Sequence, residues 1–267
     1  MSSLGLAFAD GAVVAKRNLI KIARVPELLI WTTMSPIMFV LLFSYVFGSS
    51  IEEIPGVSYR EFLIAGIFAQ TVIFGSTFTG AGLADDMTKG IIDRFRSLPI
   101  SRSAVLVGRT ASDLAYNSIS IFVMSLTGLI VGWRIRTSVV EAIGGFLLLL
   151  LFAYAISWIM AYVGLKVSSV EVVSNASFMV IMPLTFIAAT FVQAERLPGP
   201  LRTFAEWNPV SSVAQAVREA FGNTGTVPAP DVWSLQNPVA YTLICIAIIL
   251  AIFVPLSIRQ YQKAASR

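Results

Sequence analysis

The sequence predicts an all-α membrane protein with six transmembrane helices. The chain is 56% hydrophobic and only 13% charged, whereas a soluble domain has roughly 25% charged residues. Six long stretches contain no Asp, Glu, Lys or Arg, and a helix needs about 20 apolar residues to cross the membrane. These stretches lack the polar and apolar alternation of membrane-spanning strands. The predicted spans are 28–48, 62–84, 114–133, 142–165, 172–194 and 239–258.

The distribution of Lys and Arg predicts the orientation of these spans. An even number of spans puts both termini on one side, together with the loops at 85–113 and 166–171. That side carries most of the 19 basic residues, and the loops at 49–61, 134–141 and 195–231 carry the remainder. Because basic residues favour cytoplasmic loops, both termini are predicted to be cytoplasmic.

The first 27 residues do not have the pattern of a secretory signal peptide, because their basic residues follow the mildly apolar opening. Residues 4–25 are predicted to form an amphipathic helix in the inner membrane interface, with its basic end at the anionic headgroups. The alternative is a frayed tail whose charges only fix the topology. The basic residues concerned are Lys16, Arg17, Lys21 and Arg24.

The composition excludes several classes of chemistry. The chain has no histidine, and its one cysteine, Cys245, lies inside the last predicted span. A His-ligated metal or haem and an intrachain disulfide are therefore excluded. No G-x-x-x-x-G-K-S/T motif occurs, so the chain does not bind ATP by that motif, and we expect no cofactor, no metal site and no enzymatic activity in this chain itself. The adjacent Asp85 and Asp86 are interpreted as interface anchors rather than as an acid/base pair.

The predicted spans also lack ionisable residues in their cores. Charged groups in a membrane are costly and are kept for function, as in the proton relays of ion-coupled transporters. Their absence argues against a secondary transporter. If the protein moves a substrate uphill, the energy is expected to enter through another subunit.

A charged segment, KGIIDRFRSLPISR at Lys89–Arg102, interrupts the apolar pattern on the predicted cytoplasmic side. Four apolar residues recur there at helical spacing: Ile91, Ile92, Phe95 and Leu98. Pro99 ends this short helix, and Ser101 or Ser103 can cap the next one. By spacing alone, the helix either docks on a cytosolic partner through Phe95 or lies on the membrane with its arginines at the headgroups.

The stretch KGIIDRFRSLPISRSAVLVGRTASD resembles the cytoplasmic loop of ABC-2 type permeases, the membrane subunits of one class of ABC exporter. It is most similar to the daunorubicin/doxorubicin-resistance permease group of actinobacteria, where a KG-x-x-DRFRSLP motif occupies this loop. Pro26-Glu27, PLTF at 183–186, NPV at 208–210 and AVR at 216–218 extend the resemblance along the chain.

This resemblance implies a type V ABC exporter-like fold in which residues 1–267 form a single transmembrane domain. Residues 1–27 are then the cytoplasmic interfacial helix, 85–113 the coupling loop and 195–231 the extracellular loop. In the family, the loop contains a coupling helix that contacts the nucleotide-binding subunit. The resemblance implies this ATPase-coupling role for Gly90, Asp93, Arg94, Phe95, Arg96 and Pro99.

The sequence ends shortly after the sixth span without an ATPase motif, so the resemblance implies a separate cytosolic ABC ATPase that binds ATP and Mg. Two copies of each chain are expected in the complex, in a bacterial plasma membrane, with no nucleic-acid partner. The expected function is the permease of an ATP-driven exporter for a hydrophobic or amphiphilic drug, antibiotic or lipid. The alternatives are a lipid or polysaccharide permease and a membrane scaffold that recruits a cytosolic protein.

The 195–231 segment contains signals for a helix of its own. Asn208 can serve as N-cap, Pro209 fits the first helical position and Gly222 fits a C-terminal cap. One face between them is apolar: Val210, Val213, Ala214, Val217 and Phe221. We therefore predict an amphipathic helix on or dipping into the outer leaflet, preceded by a second helix around Leu201–Trp207. The candidates for an exit gate are Asn208, Pro209 and Val217; the alternative is a passive lid over the span ends.

Within the predicted spans the signals are weaker. Gly128 and Gly132 have a GxxxG spacing, which favours close helix packing within the chain over a dimer contact. Several soft or aromatic residues can form a surface for a polyaromatic cargo or can simply face lipid and neighbouring helices, so no substrate contact is assigned. These residues are Phe68, Phe74, Phe78, Phe178, Met179, Met182 and Phe186.

Overall fold

The described part of the chain is helical, with no strand in it, which confirms the prediction of an all-α protein. The predicted interfacial helix at 4–25 lies, apart from Ile20, outside the described residues. The computed structural model describes Ile20, Met34 and residues 36–47, 55–91, 104–167, 169–226 and 231–264.

The helices are labelled in chain order. They are α1 (36–47, π-helical over Leu42–Phe47), α2 (Tyr59–Thr88), α3 (Ala104–Val131), α4 (Val139–Lys166), α5 (Val170–Phe186), α6 (Gly199–Trp207), α7 (Pro209–Phe221), α8 (Trp233–Gln236) and α9 (Pro238–Ala264). In the described ranges, four helices are long and apolar enough to cross a membrane: α2, α3, α4 and α9. Two further apolar helices, α1 and α5, are shorter. Each of the six predicted spans overlaps one of these six helices.

Helix α2 is the centre of the bundle. It begins with a capping box, in which the Ser58 side chain accepts from Glu61 N and the Glu61 carboxylate accepts from Ser58 N. The helix packs against α3, α4, α5 and α7. Of the residues in the most apolar 18-residue stretch of α2, 83% are buried within the chain. Most of α2 therefore contacts protein rather than lipid.

The approach of α4 to α2 depends on glycine. A Cβ atom on Gly164 would lie 2.2 Å from the carbonyl oxygen of Gly80, a distance that no side chain can occupy. At the next contact along α2, Ser76 Oγ donates to the Ala153 carbonyl oxygen at 3.0 Å. Small residues at a membrane-helix contact let the two backbones approach closely.

The two glycines of the GxxxG spacing, Gly128 and Gly132, have different structural roles. A Cβ atom on Gly128 would lie 3.1 Å from the Trp133 ring and 3.3 Å from Ile64, so this glycine packs within the chain, as predicted. Gly132 follows the end of α3 with a φ of +108°, a backbone conformation that favours glycine. It therefore terminates the helix instead of packing on a neighbouring one.

The fifth apolar run is not helical throughout, and this corrects the prediction of a helix over 172–194. Helix α5 ends at Phe186, and residues 187–193 form bends and turns. The main-chain groups released by the break still need hydrogen-bond partners, because they are buried. Side chains from α7 and its cap supply them: Asn208 Nδ2 donates to Leu184 O at 2.8 Å, Ser211 Oγ accepts from Ala189 N at 2.9 Å, and Arg218 Nη2 donates to Thr190 O at 2.9 Å.

Candidate functional site

A cavity of about 360 Å³ lies among α1, α2, α3 and α5, and we call it the aromatic cavity. Four of the residues predicted to form a soft aromatic surface come together in its wall: Phe74, Phe78, Phe178 and Met182. The full lining is Pro36, Phe39, Gln70, Thr71, Phe74, Gly75, Thr77, Phe78, Tyr116, Ser120, Phe178 and Met182. Its volume and aromatic lining are typical of pockets for small organic molecules.

The other three residues of that predicted surface lie elsewhere. Phe68 is fully buried in the core, where its ring contacts Trp133 edge-on at a centroid distance of 5.5 Å. Met179 faces away from the bundle and is 78% exposed. Phe186 packs on Phe191 at the end of α5, with a centroid distance of 4.9 Å. Sequence spacing could not separate these positions, because it does not show which helices are neighbours.

The cavity wall also contains polar side chains. The hydroxyls of Thr71 and Thr77 donate to main-chain carbonyls of α2 itself, those of Ile67 and Phe74, at 2.7 Å in both cases. Gln70 differs from them. Gln70 is only 3% exposed, and its Nε2 atom has no hydrogen-bond partner in the described part of the chain.

A buried polar network connects the cavity wall to the start of α3. Arg109 Nη2 donates to the Phe78 carbonyl oxygen at 2.7 Å, and the Phe78 ring packs edge-on against Tyr116 with centroids 5.2 Å apart. Arg109 Nε lies 3.8 Å from Asp113 Oδ1, and Thr79 Oγ1 donates to Asp113 Oδ2. The network therefore joins α2 and α3 beside two residues that line the cavity.

Arg109 belongs to the predicted 85–113 segment, and the structure places it in the helix that follows Ser103, with its side chain mostly buried. Helix α3 begins at Ala104, well before the predicted span, and the Arg109 and Asp113 side chains are only 14% and 6% exposed. Gly82 on α2 makes room for the guanidinium, since a Cβ atom there would lie 2.0 Å from Arg109 Nη2. The i,i+4 spacing of Arg109 and Asp113 was the available sequence signal for this pair.

The predicted coupling residues follow α2 directly. Gly90 has a φ of +64°, a conformation that favours glycine, and no atom of the described residues lies within 4 Å of where its Cβ would be. Before it, Lys89 Nζ pairs with Asp85 Oδ1 at 2.8 Å. The remaining coupling residues, Asp93, Arg94, Phe95, Arg96 and Pro99, lie outside the described residues.

The caps predicted for the 209–221 helix are confirmed, as is a helix around Leu201–Trp207. Asn208 Oδ1 accepts from Val210 N at 2.9 Å, and Gly222 takes the left-handed conformation. The apolar face is also confirmed, but it packs on α2, α4 and α9, with Val217 fully buried. This face therefore contacts protein rather than the outer leaflet.

Arg218 is a buried residue. No role of its own was predicted for it from the sequence, where it was named only as part of the AVR segment at 216–218 that extends the family resemblance. Arg218 is 1% exposed; its Nε donates to the Phe62 carbonyl oxygen at 3.1 Å and its Nη2 to that of Thr190 at 2.9 Å. Burial lowers the pKa of Arg218 to about 9, which still leaves the side chain charged at neutral pH. A lone arginine on a helix with an otherwise apolar face was the signal for a buried role.

The C-terminal end of α7 is tied to the connection between α3 and α4. Trp133 Nε1 donates to Asn223 Oδ1 at 2.7 Å, and Arg136 N donates to the Phe221 carbonyl oxygen at 2.9 Å. The Arg136 side chain pairs with the buried Glu61 carboxylate at 3.0 Å, which adds α2 to the same contact. This end of the bundle is consequently held together by side chains from three segments.

The bundle of apolar helices around an enclosed central helix has the composition and helix lengths of a multi-pass membrane protein, and the aromatic cavity lies beside that central helix. Residues 11–221 match the ABC-2 type transporter family, so the chain belongs to this family. This confirms the resemblance found in the sequence.

Individual relatives agree with this membership. The chain is 32% identical over 238 residues to the daunorubicin resistance ABC transporter permease protein DrrB1 of Streptomyces coeruleorubidus, covering 89% of this chain and 81% of that protein. It is 24% identical over 217 residues to the probable doxorubicin resistance ABC transporter permease protein DrrC of Mycobacterium tuberculosis, covering 81% and 78%. It is 22% identical over 221 residues to the inner membrane transport permease YadH of Escherichia coli, covering 79% and 83%.

Proposed function

We propose that this chain is the membrane-spanning permease subunit of an ATP-driven exporter that moves a hydrophobic or amphiphilic drug, antibiotic or lipid out of the cell. The energy comes from a separate cytosolic ABC ATPase that binds ATP and Mg. The observation that carries this proposal is the aromatic cavity, whose wall is joined by Arg109 to the segment that resembles a coupling loop. The names of its drug-resistance relatives support the same substrate class.

The proposed topology has six spans with both termini in the cytoplasm of a bacterial cell. Four helices have the required length, and α1 and α5 supply the shorter apolar segments of the other two. This arrangement places the loop between α2 and α3 on the ATPase side and the 195–231 segment outside the cell. Two copies of this chain and two ATPase subunits form the working complex.

Force from the ATPase enters at Gly90, Asp93, Arg94, Phe95, Arg96 and Pro99 in this proposal. From there the force reaches the cavity through the start of α3, because Arg109 donates a hydrogen bond to the Phe78 carbonyl oxygen and Phe78 forms part of the cavity wall. Coupling between sites needs a contiguous set of contacts that can shift together. The buried bonds of Arg109 and Asp113 provide such a set between α2 and α3.

The exit gate is proposed at the opposite end, around Asn208, Pro209 and Val217. Asn208 caps α7 and donates to the Leu184 carbonyl oxygen, so α7 is bonded to the end of α5. Phe178, which lines the cavity, lies on the same α5 helix. A displacement of α7 therefore moves a helix that forms part of the cavity wall.

The experiment is ATP-dependent transport of labelled amphiphiles by proteoliposomes that contain the chain and its ATPase. Replacing Phe95→Ala together with Arg94→Ala is expected to abolish both co-purification of the ATPase and transport. The matched control is Phe204→Ala with Arg202→Ala, an exposed Phe and Arg pair on α6, which should change neither.

Three outcomes count against the proposal. If the Phe95 and Arg94 variant keeps the ATPase bound and transports normally, the coupling assignment is wrong. If the ATPase binds but no labelled compound of any class is transported, the chain is a scaffold. If only labelled polysaccharides are moved, the substrate class is wrong and the permease function stands.

A further inference from the structure

The aromatic cavity contains a hydrogen-bond donor that the described part of the chain leaves unused. Gln70 projects from α2 into the cavity wall and is 3% exposed, and its Nε2 atom has no partner there. Buried polar groups in folded proteins are nearly always hydrogen-bonded, because burial without a partner is costly. An exception in the wall of a cavity indicates that the partner is something that enters the cavity.

The neighbouring polar groups do not explain this donor. Thr71 and Thr77 each use their hydroxyl hydrogen on a main-chain carbonyl of their own helix. Neither is bonded to the Gln70 amide. Gln70 thus differs from these two threonines: it lines the same cavity, and its side-chain N–H group is buried and has no partner in the described part of the chain.

The rest of the wall defines what can accompany the hydrogen bond. Rings from four helices border the cavity: Phe39, Phe74, Phe78, Tyr116 and Phe178. Phe74 and Phe178 lie on opposite helices with ring centroids 6.1 Å apart. Aromatic rings prefer offset or edge-on contacts with other rings at such distances. The wall therefore favours a flat ring system over a flexible polar molecule.

We propose that the aromatic cavity binds a flat, mostly apolar ligand that carries a carbonyl or similar acceptor, and that Gln70 Nε2 donates a hydrogen bond to this acceptor. The inference rests on the proposed export function and specifies its substrate class. A ligand that lacks the acceptor leaves the amide unpaired or displaces a water without replacing its bond, and both outcomes weaken binding. Gln70 is then the residue that selects among ring systems of the same size.

The test uses two tricyclic probes of matched shape: fluorenone, which has one carbonyl acceptor, and fluorene, which has none. Binding of each labelled probe to the full-length chain in lipid nanodiscs is measured by equilibrium dialysis, with empty nanodiscs correcting for partition into lipid. One net hydrogen bond predicts that the wild type prefers fluorenone roughly fivefold. Gln70→Met keeps the length of the side chain without a donor and should bind both probes equally.

A matched control variant tests whether the loss of preference is specific to a residue that lines the cavity. Ser76→Ala removes a buried hydroxyl from the same helix, but Ser76 bonds to Ala153 of α4 and does not line the cavity. This variant should retain the fluorenone preference. The thermal midpoint of ligand-free Gln70→Met should equal or exceed that of the wild type, because the substitution removes an unpaired buried donor.

Several results would overturn the inference without deciding the export function, which the ATP-dependent transport assay decides separately. They are equal binding of the two probes by the wild type, a fluorenone preference that survives Gln70→Met, and no binding above the empty-nanodisc level. A large drop in the thermal midpoint of Gln70→Met would show that the amide is bonded within the protein, and this too would overturn it.

Discussion

Arg218 and Phe62 form a double contact between α7 and the first turns of α2. The guanidinium carbon of Arg218 lies 3.6 Å from the centre of the Phe62 ring, and Arg218 Nε donates to the Phe62 carbonyl oxygen at 3.1 Å. Arginine is suited to this position because its planar group can stack on a ring while its separate N–H groups bond to different acceptors. The second acceptor, the Thr190 carbonyl, belongs to the chain that follows α5. One side chain thus joins three segments.

The first prediction concerns this contact. Arg218→Met should lower the free energy of unfolding by about 1–3 kcal/mol, because it leaves the buried Thr190 carbonyl oxygen without its charged donor. Thermal unfolding in nanodiscs measures the change. Arg202→Met, at an exposed arginine that pairs with Glu206 on α6, is the control and should cost less stability than Arg218→Met. Equal stability of the Arg218 variant and the wild type would contradict the structural role.

The second prediction compares two glycines of α4. Gly164→Ala should destabilise the protein by at least about 2 kcal/mol, because the new methyl group meets the main chain of α2, which cannot yield as a side chain would. Gly144→Ala is the matched control: no atom of the described part of the chain lies within 4 Å of its Cβ position, and alanine should stabilise the helix by up to about 1 kcal/mol. Thermal midpoints of the two variants should move in opposite directions. A shift in the same direction would show that α2 and α4 are not in close contact at Gly164.

The third prediction concerns the network beside the cavity. Arg109→Met removes the bond to the Phe78 carbonyl oxygen, a charge-assisted contact worth about 1.5–3 kcal/mol. ATP-dependent transport should fall at least roughly tenfold, while the ATPase still co-purifies. Because this variant leaves Asp113 without its cation, Arg109→Met with Asp113→Asn is measured as well and should show the same loss. Arg259→Met, at an exposed position on α9, is the control. Normal transport by both Arg109 variants would exclude this path for coupling.

The fourth prediction tests the proposed topology. In a Cys245→Ser background, which removes the single native cysteine, a membrane-impermeant maleimide applied to intact cells should label Thr203→Cys on α6. It should label Gln262→Cys on α9 only after the membrane is permeabilised. Both positions are exposed, so access to the side chain does not limit the reaction. The reverse pattern would place the termini outside the cell.

The sequence was sufficient for features that depend on local pattern. Each of the six apolar runs overlaps a helix, and Asn208 and Gly222 specify the two ends of α7 through their own side-chain and backbone preferences. The break after Phe186 could not be predicted in this way. It exists because side chains from a distant helix form hydrogen bonds with the released main-chain groups. The residues of the apolar run do not indicate where those side chains lie.

The candidate site was predictable to a similar extent. The aromatic character of Phe74 and Phe178 indicated a possible surface, but only the packing of α2 against α5 brings the two rings together. Gln70 and Arg109 drew no attention as single polar residues. Their significance comes from burial and from the presence or absence of a partner, both of which are properties of the assembled bundle.

The enclosure of α2 has a consequence for biosynthesis. This helix is synthesised before α3, α4, α5 and α7, which are the helices that later surround it. At ordinary elongation rates the last of them follows on the order of ten seconds later. During that interval Gln70 and the buried Glu61 lack their final surroundings. A chain stalled before α7 is therefore expected to be a substrate for membrane chaperones and quality-control proteases.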